Sequence, residues 1–312
     1  MTASGSRFWR KLAMLVKVET TYATDAAPAE ADAVVASNIT FTPIEGDEVN
    51  RDLLLPYLGN QGTILTATYG KIEFDVEIAG AGAAGTVPKY DALLRSAGMA
   101  QTVTAGTSVV YSFVEDDPES ATVYFVSDKV QHIFVGGVAN IAPSFTPKQI
   151  PKFRVSYMGM MGTISDLVSM PDVVLDGVTT PLPVSKANTQ MSLFGWASVA
   201  ESLSLDWGNV LTPRFLIGDE RVLITDRQAK GTAVVEARSV ATINWFDKAL
   251  TSAKGALSLI HGTTAGNIVE ISAPAVQVGK PTQGQTDGII NYSLPLNLTP
   301  INGLDELTLT IR

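Results

Sequence analysis

The sequence contains no cysteine, which excludes disulfide bonds, thiolate metal sites and cysteine nucleophiles. Charged residues make up only 17% of the chain and aromatic residues 7%, and no uncharged apolar run approaches the roughly 20 residues of a membrane helix. A basic cluster formed by Arg7, Arg10 and Lys11 precedes an apolar stretch, but Lys17 ends that stretch after residues 12–16. A secretory signal needs a longer apolar region. We therefore expect neither a signal peptide nor a membrane span.

Basic residues are too few for a protein that holds nucleic acid tightly. The chain has 22 Lys and Arg residues against 31 Asp and Glu residues, which gives a formal net charge of -9. Binding to a phosphate backbone requires a basic patch that can displace counterions. We therefore expect no tight or specific binding of DNA or RNA.

Apolar and turn-forming residues, by contrast, are abundant. Hydrophobic residues make up 46% of the chain, and there are 26 glycines and 16 prolines, which is typical of many short strands joined by turns. A length of 312 residues exceeds the usual size of one domain. The predicted fold is therefore mainly β, with two domains.

One strand is predicted with particular clarity over residues 72–78 (IEFDVEI), where apolar and acidic side chains alternate. Residues 89–97 are predicted to form a short helix that Pro88 opens and Gly98 ends, with Leu93 and Leu94 packed on a sheet. Further strands are predicted over residues 109–114, 122–126, 132–135 and 153–158.

Proline and small polar residues mark the predicted boundaries. Residues 1–33 are predicted to form an N-terminal arm with a mobile connector over 24–32, so that ordered structure begins near Val34. Pro171, Pro181 and Pro183 predict a linker. The resulting division is a first β unit over 34–164, a linker over 165–185 and a second β unit over 186–312.

The second half repeats features of the first half in the same order. Residues 58–59 (LG), 64–66 (ILT) and 76–77 (VE) match residues 217–218 (IG), 223–225 (LIT) and 235–236 (VE), each 159 positions later. The separation falls to 156 for residues 90–91 (YD) and 246–247 (FD), and to 146 for residues 110–114 and 256–260. A conserved order with a slowly changing separation favours tandem duplication.

No set of residues indicates catalysis, a cofactor or a metal. His132 and His261 lie in or beside predicted strands without any metal-ligand spacing. Residues 80–85 (GAGAAG) fit GxGxxG, but that loop needs a parallel βαβ unit, and the neighbouring strands are predicted to be antiparallel. Alternate acidic residues on the strand over 72–78 stand about 6.6 Å apart, too far for a compact metal site. Trp196, Trp207 and Trp245 are expected to anchor a core or an interface.

Residues 46–56 (GDEVNRDLLLP) mix charges of both signs with a leucine triplet and lack clear periodicity. Two interpretations remain open. The segment is either a long surface loop whose leucines fold back on the core, or a loop that docks on a neighbouring subunit.

Several of these segments together resemble the major tail tube proteins of long non-contractile-tailed bacteriophages. The segments are residues 19–22 (ETTY), 45–59 ending in PYLG, 90–98 (YDALLRSAG), 201–206 (ESLSLD) and 222–227 (VLITDR). The resemblance implies two tandem β-sandwich or barrel units, each with a short flanking helix. It also implies rings with a continuous inner β wall, stacked into the hollow tube of a virion tail through which DNA passes during ejection without specific binding.

Two units in each chain would let three chains form a pseudo-sixfold ring, with hexameric rings as the alternative. The resemblance implies no catalytic residue, cofactor or metal. It implies tape-measure, tail terminator and baseplate proteins as partners, and synthesis in the host bacterial cytoplasm. The residues expected to face the lumen are Glu73, Asp75, Glu77 and Glu236. The separation of 159 places Thr232 and Val234 opposite Glu73 and Asp75, so two alternatives stay open: the stripe faces outward, or the two units differ. The residues expected to bridge neighbouring rings are Phe8, Trp9, Asp47, Glu48, Arg51, Asp52, Leu53, Leu54 and Leu55.

Three other classes of protein also use β-rich folds. An outer-membrane porin needs a signal peptide and aromatic girdles, which the sequence does not provide. A carbohydrate hydrolase on a β-sandwich needs a carboxylate pair, and nothing nominates one. A phage adhesin or surface-display domain is the nearest alternative, and it would bind a receptor instead of polymerising.

Overall fold

The computed structural model describes residues 6–312 as a mainly β protein with two short helices, which confirms the predicted fold class. The strands of the first half are β1 Leu12–Val18, β2 Ser37–Asn50, β3 Thr63–Glu77, β4 Met99–Thr104, β5 Ser108–Phe113, β6 Ala121–Ser127, β7 Val130–Phe145 and β8 Lys152–Asp166. Those of the second half are β9 Thr189–Leu193, β10 Trp196–Ala197, β11 Ala200–Asp206, β12 Asn209–Leu216, β13 Asp219–Arg227, β14 Lys230–Glu236, β15 Lys254–His261, β16 Val269–Val278, β17 Thr282–Thr286, β18 Ile289–Thr299 and β19 Thr308–Ile311. The helices are α1 Asp91–Ser96 and α2 Trp245–Leu250.

The strand predicted over 72–78 forms the inner part of β3. Ile72, Phe74 and Val76 are buried, whereas Glu73 and Glu77 are exposed, as the alternation predicted. The ladder with β2 continues to Thr63, so β3 extends well beyond the core. The other predicted strands coincide with β5 and β6 or are parts of the longer β7 and β8.

Helix α1 begins two residues later than predicted. Pro88 and Lys89 belong to the preceding turn, in which the Asp91 amide donates to the Pro88 carbonyl. Tyr90 is the N-cap, and Gly98 follows the helix with φ +76, a conformation that favours glycine. Leu93 and Leu94 are buried, so the predicted packing of the helix on the sheet is confirmed.

The N-terminal segment is not an arm along its whole length. Residues 12–18 form β1, which pairs antiparallel with β6 and buries Met14, Leu15 and Val16. The prediction that ordered structure begins near Val34 is therefore wrong. The apolar run that was compared with a signal peptide is a buried strand.

Each half contains a sheet of six positions with the same pairing order, and every pairing is antiparallel. The first half has the order β1-β6-β7-β8-β3-β2. The second half has the order β9-β15-β16/β17-β18-β14-β11, where residues 279–281 interrupt one long strand to give β16 and β17. In both halves a helix follows the third strand of this set along the chain.

This pairing order changes one part of the sequence alignment. The separation of 146 placed β15 opposite β5, whereas β15 takes the position of β6 in the sheet. The hairpin of β4 and β5 has no counterpart in the second half. Strand β5 pairs with β4 on one side and with β19 on the other. The separation of 159 does hold between β3 and the two strands β13 and β14. Lys71 of β3 pairs with β8, and Lys230 of β14, 159 residues later, pairs with β18, which takes the position of β8 in the second sheet.

The two halves are joined through one sheet and one core. Ser144 and Phe145 of β7 pair with Ser204 and Leu203 of β11, so that β2-β3-β8-β7-β11-β14-β18-β17 form a continuous sheet. Buried residues of both halves belong to the same hydrophobic cluster. Between β8 and β9, residues 167–188 contain no helix or strand.

The glycine run over residues 80–85 also lies between the halves. Gly80 donates its amide to Asn267 Oδ1 (2.7 Å), and Gly82 donates to the Gly266 carbonyl (3.0 Å). A Cβ atom at Gly80 or Gly266 would overlap the opposing backbone. Close approach of two loops therefore accounts for these glycines.

Candidate assembly surfaces

The eight-stranded sheet has one buried face and one polar face. Residues directly opposite each other in neighbouring strands share a face. One exposed row runs across the strands of both halves through Glu77, Lys152, Ser144, Ser204, Thr232 and Pro295. The rows on either side of it are buried: one contains Val76 and Phe153, and the other contains Phe145, Leu203, Ala233 and Leu294.

All four residues expected to face a lumen lie on this polar face. Glu73 and Asp75 share the face of Glu77 at alternate positions of β3, and Glu236 shares the face of Thr232 on β14. The structure therefore brings Glu73, Asp75, Glu77 and Glu236 onto the same side of one sheet.

The acidic residues of β3 are paired with basic residues, which the sequence analysis did not anticipate. Arg154 Nη2 lies 2.7 Å from Glu73 Oε2, and Arg154 Nη1 lies 3.2 Å from Asp75 Oδ1. Lys152 Nζ lies 3.9 Å from Asp75 Oδ2. The expected acidic stripe is thus a set of cross-strand ion pairs, and only Glu77 on this strand lies outside them.

Two hairpins extend from the ends of this sheet. The first, which we call the projecting hairpin, comprises residues 45–50 of β2, residues 63–69 of β3 and the loop 51–62 between them. Leu54 and Leu58 are fully exposed at its tip, each with 102% relative exposure. The loop leucines therefore do not fold back on the core, which removes one of the two interpretations for this segment within a single chain.

Several predicted ring-bridging residues lie on this projecting hairpin. Asp47 and Glu48 are in β2 opposite Thr66 and Leu65, so they belong to a strand and not to the irregular segment that was expected. The remaining residues, which lie in the connecting loop, are Arg51, Asp52, Leu53, Leu54 and Leu55. Gln61 exchanges side-chain hydrogen bonds with the backbone amide and carbonyl of Leu53, which closes the loop on itself.

The second hairpin, formed by β12 and β13, is the counterpart of the projecting hairpin in the pairing order, and we call it the seated hairpin. Val222 of β13 is fully buried against Val138 of β7 and Met158 of β8. The rings of Phe215 and Tyr69 stack with their centroids 6.3 Å apart. This hairpin therefore packs on the first half of the same chain.

The tip of the seated hairpin is also apolar and exposed, with Ile217 at 107% relative exposure and Leu216 at 49%. Neither Leu216 nor Ile217 was among the predicted contact residues. The internal repeat could have identified them, because the separation of 159 places Ile217 and Gly218 opposite Leu58 and Gly59 at the tip of the projecting hairpin.

Residues 19–22 connect the N-terminal strand to the seated hairpin. Buried Glu19 accepts hydrogen bonds from Ser120 Oγ (2.6 Å), Thr122 Oγ1 (2.8 Å) and the Gly136 amide (2.8 Å). The Tyr22 hydroxyl donates to the Val222 carbonyl (3.3 Å) and accepts from the Val222 amide (2.7 Å). These contacts give the ETTY segment a structural role.

Phe8 and Trp9 are exposed beside the start of β1, with relative exposures of 56% and 65%. The Phe8 amide donates to Asp128 Oδ2 (2.6 Å), and Lys11 Nζ lies 3.6 Å from Asp128 Oδ1. The backbone of the segment is therefore attached to the turn between β6 and β7, while both aromatic rings face outward.

The contacts of the two histidines are those of residues that hold the fold together. Buried His261 contacts Thr189 Oγ1 through Nδ1 (2.8 Å) and the Leu182 carbonyl through Nε2 (3.1 Å). Burial lowers the pKa of both His132 and His261. Within residues 6–312, no group of three or more acidic or histidine side chains is placed to hold a metal ion. No helix in the same range is long and apolar enough to cross a membrane.

Comparison with known proteins agrees with the resemblance noted in the sequence. No curated protein has a matching sequence. A family model described as phage tail tube protein matches residues 9–298, which is nearly the whole chain and includes both hairpins and the complete eight-stranded sheet. The chain therefore belongs to the phage tail tube protein family and is a structural component of a virion tail.

Proposed function

We propose that three copies of this chain form a closed ring, and that the rings stack into the hollow tail tube through which DNA passes during ejection. The observation that supports this most directly is the repeated pairing order of the two halves. Two similar sheets in one chain give a trimer six similar positions, so the ring would be pseudo-sixfold and the two halves would be the products of a tandem duplication.

The junction between the halves suggests how neighbouring chains join. Within a chain, β7 of the first half pairs with β11 of the second half at Ser144 and Ser204. In the repeat, β17 is equivalent to this part of β7, and it pairs with residues 289–293 of β18. The strand equivalent to β11 is β2, which pairs with β3. Among the described residues, β17 pairs only with β18 and β2 only with β3. An antiparallel pairing of β17 with β2 of the next chain would occupy both edges.

Such a ring would place eight strands from each of three chains in one continuous inner wall. Edge strands promote uncontrolled association unless they are covered or paired. Closure of the ring would pair them, and β17 carries an exposed, polar sequence (TQGQT) suited to backbone pairing without an apolar patch. The expected unit of assembly is then a trimer, whereas a hexamer would leave the repeat within the chain without a role.

The polar face of the sheet would line the tube. Its opposite face is the protein core. The seated hairpin covers the polar face around Val138 and Met158, so the remainder of the polar face is the part that would be accessible to DNA. Arg154 and Lys152 are held by Glu73 and Asp75, and paired basic groups are poor ligands for phosphate. DNA could therefore slide past without fixed binding sites. The reason would be the pairing of these basic groups together with the net charge of -9, and not a uniformly acidic stripe.

Contacts between successive rings would come from the apolar tips. Three large apolar side chains are fully exposed in the single subunit: Leu54 and Leu58 of the projecting hairpin and Ile217 of the seated hairpin. Exposed apolar groups of this kind mark contact surfaces. Phe8 and Trp9 offer a further apolar surface. The tape-measure, tail terminator and baseplate proteins would bind the inside and the two ends of the same tube, and the subunits would be made in the host cytoplasm.

Negative-stain electron microscopy of the purified protein tests this function. Hollow tubes of uniform diameter are expected at high protein concentration, with end views that show three chains around a central channel. A protein that remains monomeric under all conditions and is absent from tail tubes in virions would contradict the proposal and favour an adhesin or display domain.

A further inference from the structure

The two hairpins occupy equivalent positions, but within residues 6–312 only the seated hairpin buries a side chain, that of Val222, on the face of another sheet. The seated hairpin buries Val222 on a row of the first half that consists of Lys71, Met158 and Val138. The equivalent row of the second half consists of Lys230, Asn297 and Gln277. No hairpin covers this second row within residues 6–312, and Asn297 is exposed.

We propose that this second row is the seat for the projecting hairpin of a neighbouring copy in the same ring. This inference rests on the proposed ring, in which the second half of one chain is followed by the first half of the next chain, in the same way that the first half is followed by the second half within a chain. The separation of 159 places Thr63 at the position of Val222 and, through the pairing of Leu65 with Glu48, Glu48 at the position of Leu211.

The chemistry of the two seats matches their hairpins. Where the hairpin carries Val222 and Leu211, the seat is apolar, with Val138, Met158 and the ring of Tyr69. Where the hairpin carries Thr63 and Glu48, the seat is polar. The apolar hairpin lies on an apolar seat, and the polar hairpin would lie on a polar seat. This match is expected if both hairpins bind in the same way.

Charge and space at the polar seat are consistent with a second copy. Lys230 forms no ion pair within the described chain, and neither does Glu48, which accepts only a hydrogen bond from Thr63 Oγ1 (3.2 Å). Lys230 and Asn297 line an open cavity of about 680 Å³ together with Gln228 and Pro300. The other charged residues of its lining are Arg227 and Glu306, which pair with each other, and Glu115. Glu48 of the neighbouring copy would enter this cavity and pair with Lys230.

Cross-linking within assembled tubes tests the seat, because the natural chain has no cysteine. The variant T63C/N297C, treated with a short bismaleimide after assembly, should yield dimers and trimers on a denaturing gel. The matched control T63C/M158C should yield none, since Met158 is covered by the seated hairpin. Tubes that form normally but give no T63C/N297C product would overturn the seat while leaving the proposed tube intact.

A charge exchange keeps the test informative if the cysteine variant does not assemble. E48K and K230E should each raise the protein concentration needed for half-assembly about tenfold, and E48K/K230E should restore it. A double variant no better than the single variants would contradict the pairing of Glu48 with Lys230. Failure of the unmodified protein to form rings or tubes would reject the proposed function itself, and the seat with it.

Discussion

The projecting hairpin and the seated hairpin are built from strands at the same place in the pairing order, yet they have opposite surroundings. The seated hairpin has a buried valine and an aromatic stack beneath it, whereas the projecting hairpin is exposed from Asp47 through Thr66 except at half-buried Gln61. A subunit made of two linked units can satisfy one hairpin internally. In the proposed ring, a second copy covers the other hairpin, so that assembly would complete the packing that the single chain leaves unfinished.

The largest expected effect concerns the exposed tip, where the double variant L54D/L58D should abolish tube elongation. Both leucines are exposed in the subunit, so the free energy of unfolding should change by less than about 0.5 kcal/mol. Electron microscopy of assembly reactions measures elongation. Val168 is similarly exposed outside the hairpins, so V168D provides the control and should elongate normally. Tubes of normal length from L54D/L58D would show that the tip makes no contact between rings.

Substitutions at equivalent positions of the two hairpins should differ in their effect on the stability of the subunit. V222D would place a carboxylate in a site with no exposure, and a destabilisation of about 3 kcal/mol or more is expected. T63D, at the equivalent position of the projecting hairpin, should change stability by about 0.5 kcal/mol or less because Thr63 is exposed. Urea denaturation of the unassembled subunit measures both. Equal losses in the two variants would mean that the hairpins are not differently packed.

A smaller effect is expected from removal of the Tyr22 hydroxyl, which holds the backbone of the seated hairpin. Y22F leaves the buried Val222 amide without its partner, at a cost of about 1–3 kcal/mol. Y124F removes a hydrogen bond to exposed Asp25 and should cost less. The same denaturation experiment compares them, and an unchanged midpoint for Y22F would show that water replaces the hydroxyl.

The smallest effect is a dependence of stability on pH through buried His261. Burial lowers the folded-state pKa of His261, so stability is fully present above the unfolded-state pKa of about 6.5 and decreases as the pH falls below it. One such group contributes at most about 1.4 kcal/mol per pH unit. H261Q should show a shallower loss than the natural protein between about pH 7 and pH 5.5. A slope unchanged by H261Q would place the effect at His132 or elsewhere.

Local patterns in the sequence were sufficient for some elements of the fold. Alternation over residues 72–78 identified both the strand and its buried face, and Gly98 identified the end of α1. By contrast, residues 12–18 form a strand that is apolar along much of its length, and such a run lacks the period of two that marks a half-exposed strand. Its assignment depended on β6, more than a hundred residues later.

The assembly surfaces were predictable only in part, because they depend on pairing between distant strands. The sequence indicated an acidic stripe at Glu73 and Asp75, but not that β8 would place Arg154 between them. The internal repeat placed the two hairpin tips opposite each other. Which tip packs on its own chain followed from Val138 and Met158, whose contacts with Val222 no local pattern reveals.

The number of chains in a ring tests the central proposal most directly, and cryo-electron microscopy of assembled tubes would measure it. We predict three chains per ring, six similar sheet segments around the channel, and β17 of each chain paired with β2 of the next. Six complete chains per ring, or a channel lined by a different face of the sheet, would contradict this account.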